Sequence, residues 1–212
     1  MLTSSEVSVS DSGLRRELNV RAFVRRLAEA RIGRTYNQYA ESALCRDRLA
    51  GYLEQRREAR YVLVGEAAGY RGARVSGIAF TSERQLTGTG PAEATATIVR
   101  RTLGELGVAD DVLLWNVVPT HPGTVRANRR PTAAEVRGGM PFLEELLIGR
   151  VPIAVGRVAH AVLGGGYVRH PSHGGGPSSG PVSCYPSNDE SISDRGDCGC
   201  RGRRAVPRVS PG

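Results

Sequence analysis

"YVLVGEAAG", residues 61–69, sets Tyr61, Val62, Leu63 and Val64 in an unbroken apolar run and closes it with a glycine turn. A run that short, stopped by glycine, reads as a strand buried on both faces, as inside a parallel sheet. "DDVLLWNVV" (110–118) and "VPIAVG" (151–156) repeat the pattern, and a shorter β-like segment closes at 167–170. The spacing between them is helical at about 92–106 and 132–148, and again from Arg157 to Leu163. The second of these opens on Thr132 with Glu135 three residues on, a capping-box arrangement. Upstream, 14–58 is mostly helical, with Leu14, Leu18, Val20, Phe23, Val24 and Leu27 near a 3.6-residue period and a second helical piece from Tyr39 to Glu58. Strands alternating with helices predict an α/β domain. The expected form is a three-layer α/β/α sandwich on a four-stranded, mainly parallel sheet near 60–66, 112–116, 152–156 and 167–170. In such sheets the site lies beyond the carboxyl ends of the strands.

Composition narrows the classes. The 212 residues suit one domain, and 40% hydrophobic content supports a real core. No apolar run approaches the roughly 18 residues of a membrane span, so no membrane partner is expected. The opening "MLTSSEVSVSDSG" (1–13) is polar, lacks the pattern of a secretion signal, and is expected to be disordered; the expected location is cytoplasmic. Cys45, Cys184, Cys198 and Cys200 are too scattered for a disulfide framework, and Cys198 and Cys200 lack partners at ligand spacing, so no metal is expected. Net charge is +8, and all 29 basic side chains are arginine. That excess favours a polyanionic partner, although a solvated basic surface accounts for it as well. From Gly174 onward apolar periodicity disappears. The domain is therefore expected over 14–176, with 177–212 a disordered or aberrant tail.

Each predicted strand delivers polar or aromatic groups to one rim. The first is followed by Gly65, Glu66, Ala67 and Gly69, then by Gly77-Ile78-Ala79-Phe80. The second ends in Asn116-Val117-Val118 and leads to Arg126 and Asn128-Arg129-Arg130-Pro131, with Glu135 beyond. The last leads to His170-Pro171-Ser172. The glycines allow backbone N–H groups to approach a ligand, but a plain strand–helix turn explains them equally well.

Taken together, these segments resemble the uracil-DNA glycosylase superfamily, and most of all its family 4 branch. That branch carries "GEAPG" with a downstream "G-x-PF", then "NVVKCRPPxNRxPxxxE", then "HPS". Order and approximate spacing agree from Tyr61 to Ser172. The resemblance implies a DNA repair enzyme that hydrolyses the N-glycosidic bond of uracil, in uracil-containing DNA, after flipping the base out of the duplex. It implies that Phe80 stacks on the base and that Asn116 pairs with its carbonyl and ring N–H, an edge that cytosine presents in reverse. His170 would bond the carbonyl oxygen of the departing base, and Ser172 a phosphate. Glu66 would orient water or stabilise the oxocarbenium-like sugar; a solvated turn carboxylate is the other reading. Ala67 stands where the best-known branch has its catalytic aspartate. Gly69 stands where that branch has a tyrosine crowding the five-position, which predicts a roomier pocket. Arg126, Arg129 and Arg130 would meet phosphates, unless their loop is merely solvated.

The chain departs from family 4 at the iron–sulfur ligands. Thr120 and Gly139 stand near two of the cysteine positions, and Cys45 has no companion. No cofactor is expected, and the protein is expected to act as a monomer. The unusual tail keeps a second reading open, a nucleic-acid-binding relative that has lost turnover; a small-molecule α/β enzyme is a weaker third.

Overall fold

The computed structural model describes residues 18–169 and Pro171. The order is α1 (Val20–Glu29), α2 (Gln38–Glu41), α3 (Ala43–Gln55), β1 (Tyr61–Ala67), α4 (Ala73–Ser76), α5 (Glu83–Thr87), α6 (Ala94–Glu105), β2 (Val112–Val118), α7 (Ala133–Leu147), β3 (Val151–Val155), α8 (Arg157–Leu163) and β4 (Tyr167–Val168). The four strands form one parallel sheet in the order β2-β1-β3-β4, the α/β architecture that the apolar runs predict. The connection from β1 steps to one side and the next crosses back over β1. Right-handed crossovers then put α4–α6 on one face and α7 and α8 on the other. The expected tails, 1–13 and 177–212, lie outside the described residues.

Helix α1 forms because Val20, Phe23, Val24 and Leu27 share one buried stripe, and Asn19 accepts the Ala22 N–H at its start. It ends where Asn37 intervenes. The Asn37 amide nitrogen donates to the carbonyls of Leu27 and Ala30, while its oxygen accepts the Tyr39 and Ala40 N–H groups that open α2. One side chain thus stops one helix and starts the next. Phe23 meets Trp115 of β2 and Phe142 of α7 edge-on, at 5.7 and 5.6 Å between ring centres. All seven residues of β2 are buried.

The predicted capping box is present, and it does more than cap. Glu135 is 2% exposed and accepts the Thr132 N–H at 2.8 Å, a two-pronged pair from Arg129 at 2.6 and 2.8 Å, and the Arg34 N–H at 3.3 Å. It ties the start of α7 to the loop after β2 and to the segment before α2. The Arg129 guanidinium, first among these, holds its carboxyl down at about 2, below its ordinary value of 4.5. A carboxylate so depressed adds stability that is complete above about pH 4.5 and is lost as pH falls toward 2. The shift corresponds to on the order of 3 kcal/mol at most. Denaturant unfolding of the wild type between pH 5.5 and 2.5 should therefore lose more stability than the same series on Glu135→Gln.

Candidate active site

Register explains why the candidate residues meet. Gly65 and Asn116 are directly opposite on β1 and β2. A Cβ on Gly65 would lie 2.5 Å from Phe80 Cζ and 2.6 Å from Asn116 Oδ1. The phenyl edge and the amide oxygen therefore both rest on the bare face of Gly65. Asn116 is 5% exposed, and its amide makes no hydrogen bond among the described residues. The residue is nearly buried while its amide stays uncommitted, so the group is available to a ligand without first breaking a bond within the protein. Phe80 has φ +48°, the left-handed region that a bulky residue enters at a cost of roughly 1–3 kcal/mol. The turn is fixed by Ser76, whose hydroxyl donates toward the carbonyls of Ile78 and Thr81, and by Thr81, whose hydroxyl donates to Ala79. Phe80 is also part of the core, since it is 7% exposed.

At the carboxyl ends of the strands, a cleft of about 780 Å³ is lined by Glu66 and Ala67 at the end of β1 and Gly69 after it, Asn128 to Arg130 after β2, and Gly156 and Arg157 after β3. Arg169, after β4, and Glu93, before α6, also line it. The chain leaves β1 toward β2 and leaves β3 in the opposite direction, and the divergence opens the crevice expected at such a switch point. Phe80 and Asn116 are not among its lining residues; they meet at Gly65, one residue before Glu66 in β1.

The loop after β2 is braced on the first motif. His121, fully buried, sets one ring nitrogen 2.7 Å from the Ala68 carbonyl oxygen and the other 2.7 Å from that of Thr124. Asn128 accepts the Tyr70 N–H at 2.8 Å. Arg129, expected to face phosphates, instead has its guanidinium engaged by the Glu135 carboxylate and the Arg130 carbonyl. Arg126 and Arg130 are exposed, with no ion pair among the described residues. His170 and Ser172 lie outside the described residues.

Gly69 does not open the cleft as its lack of a side chain suggests. The Glu93 carboxylate occupies that space, and a Cβ on Gly69 would come within 2.2 Å of its oxygen. Sequence reading passed over Glu93 and His121. Both act across long stretches of chain, and neither spacing nor periodicity marks them.

The positions aligned with iron–sulfur ligands do not fit a cluster. Thr120 is fully buried, 2.6 Å from the Thr35 hydroxyl. Gly139 lies so close to β2 that a Cβ there would stand 2.0 Å from the Val117 carbonyl oxygen. The Cys45 thiol donates to Val75 O at 3.4 Å. Among the described residues no group of three or more His, Cys, Asp or Glu side chains is placed to hold a metal, and no helix is long and apolar enough to cross a membrane.

A parallel α/β sheet with a polar cleft at its switch point is a fold of many enzymes, and here residues 52–194 match the uracil DNA glycosylase superfamily. The chain belongs to that superfamily. Among solved structures it is similar to wild-type SMUG2 of Pedobacter heparinus, with a TM-score of 0.50 and 12% identity over 65% of this chain and 75% of that one. Among curated proteins none matches this sequence.

Proposed function

We propose that this protein is a DNA glycosylase that removes uracil from DNA by hydrolysing its N-glycosidic bond, acting as a monomer in the cytoplasm on a base flipped out of the duplex. The observation that carries the reading is the meeting of Phe80 and the uncommitted Asn116 amide on Gly65, next in the chain to a cleft rimmed by arginine. In this reading Phe80 supports the base, and Asn116 donates to its O4 and accepts from N3–H. Cytosine offers the reverse pattern and leaves both amide groups unmatched. Water adds to C1′ as the C1′–N1 bond breaks, and the bonding electron pair leaves with the base. Glu66 orients that water and takes its proton. His170 donates a hydrogen bond to the base carbonyl on which charge accumulates, and Ser172 holds a phosphate.

Incubation with uracil-containing single- and double-stranded oligonucleotides, followed by alkali, tests this directly. Strand breaks at the uracil support it. Tight binding without breaks favours the relative that binds nucleic acid without turnover.

Arg126 and Arg130 carry a second expectation. Each phosphate contact releases about 0.9 counterion from duplex DNA, so Arg126→Ala/Arg130→Ala should lower the salt slope of binding by about 1–2. Arg129→Ala should act differently, by unfolding the protein more readily through the loss of Glu135's partner. An unchanged slope in the double variant removes this loop from the interface.

A further inference from the structure

Glu93 reaches the cleft from the residue before α6, and its carboxylate lies over the turn that follows β1. A Cβ on Gly69 would stand 2.2 Å from its Oε1, and one on Gly72 1.9 Å from its Oε2. The two bare glycines are thus the seat of this carboxylate. No side chain at either position could coexist with it in this pose. Among the described residues no hydrogen bond or ion pair reaches the carboxylate, and burial pushes its carboxyl up from the ordinary value. A half-buried carboxylate without a donor gives up part of its hydration for no bond, which lowers stability. A glutamine of the same shape would fold at least as well, so packing does not account for the charge.

The cleft itself supplies a task. Thymine differs from uracil by one methyl group and vastly outnumbers it in DNA, so an enzyme that removes uracil needs a wall that refuses the methyl. Ala67, Ala68 and Gly69 line the cleft beside β1 and are too small to form one. Glu93 is the side chain that fills the space over Gly69 and Gly72. Contact with a methyl would strip water from the carboxylate and return no hydrogen bond.

Resting on the glycosylase reading above, we propose that Glu93 is a specificity-determining residue, whose carboxylate closes the cleft over Gly69 and Gly72 against bases that carry an apolar substituent, thymine first among them.

The test measures single-turnover release of uracil and of thymine, each opposite guanine, for the wild type, Glu93→Ala and Glu93→Gln. Affinities for duplexes carrying 2′-fluoro-2′-deoxyuridine or its 5-methyl counterpart, which resist cleavage, are measured alongside. Glu93→Ala should narrow the preference for uracil over its methylated form by about tenfold or more, the scale of one methyl in a pocket. Glu93→Gln should keep part of the preference, and its melting temperature near pH 8 should equal or exceed the wild type's. A preference unchanged in Glu93→Ala overturns the assignment, as does a marked loss of melting temperature in Glu93→Gln, which would make Glu93 a structural brace. A wild type that releases neither base but binds the unmethylated duplex preferentially, and loses that preference in Glu93→Ala, retires the glycosylase reading and keeps Glu93 as the selecting wall. A wild type with no preference in either measurement overturns the assignment.

Discussion

Asn116→Ala should lower the single-turnover rate of uracil release by about 10²–10³-fold, the usual consequence of deleting one donor aimed at developing charge in a dry site. The expectation follows from position. Asn116 is 5% exposed, opposite Gly65 in the register of β1 and β2, with its amide uncommitted among the described residues. Truncation removes an amide that bonds nothing among the described residues, so the fold should be retained. Binding to duplex DNA should change little, because affinity is dominated by phosphate contacts elsewhere. Asn116→Asp sharpens the test. An ionised carboxylate still accepts from uracil N3–H but repels O4, so it too should be slow. Rates measured with enzyme in excess, beside melting curves and binding isotherms, separate these effects. If Asn116→Ala retains full activity, Asn116 is not the base-reading group.

Gly65→Val should be as damaging, by a different route. Its first side-chain carbon alone would fall 2.5 Å from Phe80 Cζ and 2.6 Å from Asn116 Oδ1, and neither can retreat easily. Phe80 is held in a strained turn by Ser76 and Thr81, and Asn116 is fixed by its place in β2. Overpacking of this kind costs about 1–3 kcal/mol, and the displaced amide should cut uracil release by a further 100-fold or so. Pairing Gly65→Ala with Phe80→Leu tells the two losses apart. Shortening the ring gives the new methyl room, so stability should recover, while excision should stay low because the aromatic face is gone. Recovery of both would mean that Phe80 only fills the core.

Much of this protein was readable along the chain. The apolar runs at 61–64, 112–115 and 153–155 are local signals, because a strand buried on both faces needs apolar side chains in succession. They were enough to predict a parallel α/β sheet and a site at its carboxyl end. Thr132 and Glu135 announced the start of α7 because capping is a contact between near neighbours. The motif residues after each strand are named by short local patterns of the same kind; His170 and Ser172 lie outside the described residues.

What stayed hidden depends on distance. Arg129 looked free for phosphate, but the Glu135 that serves α7 as a cap also claims its guanidinium, and no local pattern says which partner such a carboxylate will take. His121 sat inside a stretch whose neighbours drew attention, and only folding carries the Ala68 and Thr124 carbonyls to its two ring nitrogens. Gly69 suggested an open pocket, and Glu93, 24 residues on in the chain, fills it. Sequence by itself determined which elements form and which residue types stand at their ends, since both follow from near-neighbour chemistry. Only the tertiary structure decided which charges are spent on one another and which are left for a ligand, because burial and long-range pairing exist only once the sheet has brought the loops together.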